Sequence, residues 1–308
     1  APRGEAQARA RGRRLGGERF DRRVSSDLRR AAQTARAALG AEVEREPRLR
    51  EVDVGRWAGL AHAEVAERFA EELRALRAGE PVRIGGGESM PEFETRIDAL
   101  VDEWREHERG RALVAVSHGG VIRAIALRIL DRRRAPSPLL GARNTSVTVV
   151  DTAGGRPRLR AYNDVGHLAG EPGPPDEPSG ARVSLVAVGA RVDVRAPAVG
   201  PGRALALGAA RESPLARDLQ AKPIDQVRLR DLALELADDE PAWVLAHPDR
   251  VPALVSEAVG VDPAALAPPG PGTRSVLRVA NRSRLQLVSY GGQDDPPAPA
   301  VGDPAGPA

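Results

Sequence analysis

Apolar residues recur along this chain in two rhythms. Leu28 to Leu39 and Ala63 to Leu76 carry them at helical spacing, and Phe93, Ile97, Leu100, Val101 and Trp104 fall on one face of a further helix. Between these lie short unbroken apolar runs, Leu113 to Val116 and Val147 to Val150, with the length and composition of buried strands. Alternating helix and strand signals predict an α/β fold with a mainly parallel sheet over residues 1–168. Ser26 or Asp27 is the expected N-cap of the helix starting at Leu28. Residues 169–180 are rich in Pro and Gly and read as a semi-rigid linker. A second, smaller α/β module is expected over 181–292. From Gln293 to Ala308 the composition is that of a disordered tail.

Length changes the picture little, since 308 residues suit about two domains. Composition changes it more. Aromatic residues make up only 3% of the chain, so Ala, Val and Leu must supply most of the packing. The 46 basic and 43 acidic residues leave a net charge of +3. Residues 1–36 are locally basic, but no aromatic residues interleave for base stacking and the arginines spread over several helical faces, so no nucleic-acid partner is expected. There is no cysteine, which excludes disulfides and thiol chemistry. No signal-peptide pattern and no run of 18 apolar residues is present, and a cytoplasmic protein without a membrane partner is the expectation.

Candidate chemistry centres on Ser117-His118-Gly119-Gly120, where an apolar strand stops and a helical pattern begins at once. That layout puts an imidazole at the carboxyl end of a strand, beside a helix amino terminus. Such a place attracts anions and is where open α/β sheets bind ligands. Three blocks precede it in order. They are Val24-Ser25-Ser26-Asp27-Leu28-Arg29-Arg30-Ala31-Ala32-Gln33-Thr34-Ala35, then Leu49-Arg50-Glu51-Val52-Asp53-Val54-Gly55-Arg56-Trp57-Ala58-Gly59-Leu60, and Gly86-Gly87-Glu88-Ser89.

Together these four ordered blocks resemble the histidine phosphatase, or phosphoglycerate mutase-like, superfamily over roughly residues 1–168. The resemblance implies a three-layer fold and a phosphomonoester hydrolase acting on a small phosphorylated metabolite. Arg30 corresponds to the family's phosphate-gripping arginine, a role its planar, permanently charged fork suits. His118 corresponds to the second active-site histidine, which binds the phosphoryl group and stabilises its charge during transfer. Glu51 corresponds to the acid–base glutamate. Ala58 stands where the family pattern usually has an acidic residue. Trp57 reads as a packing residue, Gly86 to Ser89 as a loop at the pocket rim, and Asn144 and Ser146 as organisers of a strand end. His62 and His107 read as solvated and His167 as structural. No histidine–carboxylate cluster has metal-ligand spacing, so neither metal nor other cofactor is expected.

The family's nucleophile lies in an Arg-His-Gly motif at the end of a first strand, which the family pattern places before Ala1. The expectation is therefore a nucleophile encoded upstream, with the 308-residue chain inactive alone. Leu185 to Val188 is the nearest apolar run that could fill that strand's place. The alternative is a pseudophosphatase that binds a phosphorylated ligand or serves as an interaction scaffold.

Residues 181–292 look like a worn second copy, with chance similarity in a biased composition as the competing explanation. Val244-Leu245-Ala246-His247 parallels Ala115-Val116-Ser117-His118. Ser146 follows His118 by 146 − 118 = 28 residues, and Ser275 follows His247 by 275 − 247 = 28. Gly189-Ala190-Arg191 stands where Arg-His-Gly would belong, and Arg217 in Ser213-Pro214-Leu215-Ala216-Arg217 is the counterpart of Arg30. The 30 residues from Arg217 to His247, against 88 from Arg30 to His118, leave no room for the glutamate block.

Overall fold

A computed structural model describes residues 2–40, 43–132, 137–153, 155–168, 182–187, 203–207, 210, 212–236, 241–271, 273–281 and 284–293. The 169–180 linker, Gly189-Ala190-Arg191 and the tail beyond Gln293 lie outside the described residues. The first half runs through α1 (Pro2–Leu15), β1 (Arg22–Ser25), α2 (Arg29–Leu39), β2 (Glu44–Arg45), α3 (His62–Arg68), α4 (Ala70–Arg77) and α5 (Met90–His107). It continues with β3 (Leu113–Val116), α6 (Gly119–Ile129), β4 (Val147–Asp151) and β5 (Arg158–Asp164). The second half contains β6 (Arg182–Ala187), β7 (Arg203–Leu207), α7 (Pro214–Asp218), β8 (Lys222–Ile224), α8 (Leu229–Glu235), β9 (Pro241–Ala246), α9 (Val251–Val259), β10 (Thr273–Asn281) and β11 (Arg284–Gln293).

Local chemistry explains most boundaries. Ser89 caps α5 by accepting from Glu92 N, while the Glu92 carboxylate accepts from Ser89 N, a reciprocal pair that satisfies two otherwise orphaned donors. The same helix buries Phe93, Ile97, Leu100 and Val101 against Val24, Leu49 and Val121. Each such side chain contributes about 1.5–3 kcal/mol when fully buried.

Two expected boundaries change. The helix expected over 63–76 is broken at Phe69 (φ −131°, ψ 36°), where the chain turns to set the Phe69 ring 6.0 Å from that of Trp57, with the Arg56 guanidinium 5.2 Å from its centre. The cap of α2 is Leu28, with no side-chain bond of its own. Ser26 instead accepts from Leu28 N and meets His118, and Asp27 pairs with Arg50, so tertiary partners claim both capping candidates.

Sheet topology departs from one mainly parallel sheet. Strands β2-β1-β3 form a parallel three-stranded sheet. The antiparallel pair β4 and β5 belongs to a separate mixed sheet, ordered β4-β5-β11-β10-β6-β9-β7-β8. Among the described residues β3 pairs with β1 alone and β4 with β5 alone, and the apolar residues of both strands are only half-buried. The run from Leu185 does not fill the space between them. It forms part of β6, which pairs in parallel with β9 and antiparallel with β10. A strand bonds whichever edge its tertiary position presents, and β6 meets edges within its own half.

Helix α1 ties the two parts of the first half together. It packs on α2, where Gly12 lies close against the Ala38 carbonyl. Its buried Arg11 donates to the Thr145 and Asp164 carbonyl oxygens at 3.2 and 3.0 Å and meets His167 Nδ1 at 2.5 Å. A larger core joins the halves, with Leu139, Leu159 and Tyr162 packed among Val255, Leu277, Leu285, Leu287 and Tyr290. No helix among the described residues is long and apolar enough to cross a membrane.

Candidate active site

Strands β1 and β3 run parallel and end side by side, with Ser25 opposite Val116 and Ser26 N donating to Val116 O. The chain beyond each end supplies the site. After β1 comes Ser26, then α2 with Arg30 in its first turn. After β3 come Ser117 and His118, then the amino terminus of α6.

His118 is buried, at 7% exposure, and its bonds set its tautomer. Arg30 Nε lies 3.1 Å from His118 Nδ1, and a guanidinium only donates, so Nδ1 is the bare nitrogen. The proton then sits on Nε2, which donates to Ser26 Oγ at 2.9 Å. Burial, and next the positive charge of Arg30, hold the His118 pKa below the ordinary histidine value, with Glu51 and Asp27 opposing.

The titration of His118, followed by ring-proton NMR, should therefore have its midpoint below about 6.5. Replacing Arg30 with Gln should move it upward. Because the unfolded state takes this proton first, the associated stability is complete above the unfolded pKa and declines as pH falls through the folded one. A midpoint above the ordinary value, unchanged in Arg30→Gln, would contradict the assigned contact.

Glu51 reaches the same strand edge from a third segment. Its carboxylate accepts from Gly120 N at 3.0 Å and from Val52 N at 3.1 Å. Gly120 permits this approach, because a β-carbon there would overlap Glu51 Oε1. Arg30, His118 and Glu51, 88 and 67 residues apart along the chain (118 − 30 and 118 − 51), thus converge on one edge.

Several further side chains support these three. Ser117 Oγ donates to Leu49 O at 2.8 Å. Arg96 NH1 donates to the carbonyls of Arg48 and Arg50 at 2.6 and 3.0 Å, gripping the backbone just before Glu51. Its other nitrogens donate to Glu88, which also accepts from Asp53 N. These bonds, that with Arg96 foremost, hold the Glu88 carboxyl below the usual glutamate range. Gly86 to Ser89 is therefore a brace for the Glu51 segment as well as a loop.

Other candidates fall as follows. Trp57 packs on Phe69 and Gly85. Asn144 is exposed, and the Ser146 hydroxyl is buried without a hydrogen-bond partner. Asn163 organises this loop instead, accepting from Arg143 N at 2.7 Å and donating to Val288 O at 2.8 Å. His167 is held between Arg11 and Thr145, while His62 is exposed and His107 meets its own helix's Glu103 carbonyl. Among the described residues no three metal-ligating side chains cluster. In the second half Arg217 is exposed, and His247 follows β9 half-exposed and beside Asp249.

An imidazole, a guanidinium and a carboxylate thus lie together at the carboxyl edge of parallel strands in an α/β protein. The family model of the histidine phosphatase superfamily, branch 1, matches residues 1–165, and the chain belongs to that superfamily. It is 37% identical over 174 residues to the metal-independent phosphoserine phosphatase of Arabidopsis thaliana, covering 54% of this chain and 71% of that one. It is 30% identical over 170 residues to phosphoserine phosphatase 1 of Hydrogenobacter thermophilus, covering 54% and 81%. With glucosyl-3-phosphoglycerate phosphatase of Mycobacterium tuberculosis it shares 36% identity over 129 residues, covering 38% and 58%.

Proposed function

We propose that this protein is a phosphatase of a small phosphorylated metabolite that works through a phosphohistidine, with the nucleophilic histidine encoded upstream of Ala1. The observation that carries the reading is the contact of Arg30 with His118 beside the Glu51 carboxylate, at one strand edge. The phosphatase relatives support the substrate class.

Arg30 bonds His118 through Nε, which leaves the terminal nitrogens of an exposed guanidinium for two phosphate oxygens. His118 orients that fork through Nδ1, and its Nε2–H would reach the third oxygen by exchanging its bond to Ser26 Oγ as the phosphoryl group moves. The nucleophilic imidazole attacks phosphorus, the ester P–O bond breaks, and the Glu51 carboxyl gives its proton to the leaving oxygen. The Glu51 carboxylate then takes a proton from water, whose oxygen attacks phosphorus. The N–P bond breaks and inorganic phosphate leaves.

The half-buried apolar strands β3 and β4 support a strand between them, parallel to β3 and ending beside His118. The second half supports the same reading, because β6 holds that position between β9 and β10. Residues 182–293 are a degenerate copy of the first half without a phosphate pocket, consistent with the exposed Arg217 and the Asp249-paired His247.

In the upstream-extended protein, Glu51→Gln should lower kcat by about 10²–10⁴-fold, the range for a lost general acid. Affinity for inorganic phosphate, measured by calorimetry, should change little. Arg30→Ala should instead weaken phosphate binding. Unchanged kcat in Glu51→Gln would remove the glutamate from the mechanism, and a pocket that binds phosphate without turnover would favour the pseudophosphatase alternative.

A further inference from the structure

The second half does more than repeat the topology of the first. Val24 lies opposite Glu44 in β2 and Ala115 in β3, and Leu205 opposite Lys222 in β8 and Val244 in β9. His118 lies three residues beyond Ala115, and His247 three beyond Val244 (118 − 115 and 247 − 244). Strand orders match as well, β2-β1-β3 with β8-β7-β9, and β4-β5 with β10-β11. These registers make Val24 the counterpart of Leu205.

The contact between the halves has the signature of a two-fold axis. In such an interface a residue on the axis meets its own counterpart, and every other contact occurs twice with the roles exchanged. Tyr162 and Tyr290 are counterparts, each buried, with their hydroxyls donating to Leu140 O at 2.5 Å and to Ala267 O at 2.8 Å within their own halves. They are register partners of one another where β5 meets β11. Leu139 bridges Leu287 in parallel, and Leu266, the residue before Ala267, bridges Leu159 in parallel. Leu140 N donates to Leu287 O at 3.0 Å, and Ala267 N to Leu159 O at 3.0 Å. Leu139 with Leu266, and Leu159 with Leu287, are thus exchanged pairs, and all four are buried.

We infer that residues 182–293 are the built-in partner of the first half, docked across an internal two-fold axis through Tyr162 and Tyr290 in the place that a second copy of the first half would take. The docking covers the β5 edge, which would otherwise offer unpaired backbone groups to another chain. It follows that no second copy pairs at β5. This inference does not depend on the proposed catalytic mechanism.

Cysteine pairs test it directly, because the chain has no cysteine of its own. Leu139→Cys with Leu287→Cys, and separately Leu159→Cys with Leu266→Cys, should each cross-link within one chain under mild oxidation, to similar extents. The unsubstituted protein should sediment as a monomer of 32.6 kDa. Cross-links between two chains would show that the partner half comes from another molecule, and cross-linking of only one pair would break the two-fold. Hydrogen exchange on the unsubstituted chain guards against variants that fail to fold. The amides of Leu140 and Ala267 should be protected to within about tenfold of one another, as members of one cooperative unit. Protection of one and rapid exchange of the other would overturn the exchanged pairing.

Discussion

Hydrolysis of an aryl phosphate by the 308-residue chain is expected to stay at the level of buffer, while a version extended upstream by a strand ending in Arg-His-Gly turns over. The difference should be the largest of any comparison made on this protein. In the proposed mechanism Arg30, His118 and Glu51 grip phosphate and move protons, but a phosphohistidine route needs a second imidazole in line with the leaving oxygen. His118 is poorly placed for that task, since Nδ1 accepts from Arg30 and Nε2 donates to Ser26. The added strand should also complete the first half by bonding β3 and β4, so the extended protein should unfold at higher urea concentration. Rapid quench of the extended protein should trap acid-labile phosphohistidine. Equal turnover by both chains would place the nucleophile elsewhere and overturn the mechanism.

Gly55→Ala and Gly85→Ala should each destabilise the protein by about 3 kcal/mol or more, a loss few exposed loop positions produce. Both glycines have positive φ, +48° and +59°. A β-carbon on Gly55 would overlap the Gly85 carbonyl oxygen, and one on Gly85 would overlap the Val54 carbonyl oxygen. The two loops interlock backbone to backbone, so no flexible side chain can give way. The damage should extend to chemistry, because Glu51 lies on the same segment, two residues before Asp53, whose N–H is held by Glu88. Urea denaturation followed by circular dichroism measures the first effect, and kcat of the extended protein the second. A loss below about 1 kcal/mol would mean the loops part easily and do not hold Glu51 in place.

Much of the site could be read before any coordinates. His118 sits at a strand end because Leu113 to Val116 is an apolar run followed by Gly119-Gly120, and both signals are local. Arg30 and Glu51 came from ordered motifs, and the structure brings Arg30 to His118 and Glu51 to Gly120, two residues on. The braces were not readable in the same way. Glu88 and Ser117 lie within the ordered motifs, but their bonds to Arg96 and to Leu49 O, and those of Arg96 to Arg48 O and Arg50 O, depend on partners brought close by folding. Ser26 was a candidate N-cap, yet α2 is capped at Leu28 and the Ser26 hydroxyl is shared with His118, a residue 92 positions away.

The division follows from how information is stored in a chain. Apolar spacing, the Ser89–Glu92 capping pair and the glycine positions act within a few residues, so by themselves they determined the strand at Leu113 to Val116 and where α5 begins, but not the break at Phe69. Only the tertiary structure decided which strand edges meet. Backbone N–H and C=O groups are the same in every strand, so an apolar pattern specifies that a strand is buried without specifying its neighbour. That is why the run from Leu185 joins β9 and β10, and why Tyr162 comes to face Tyr290 across the junction of the two halves.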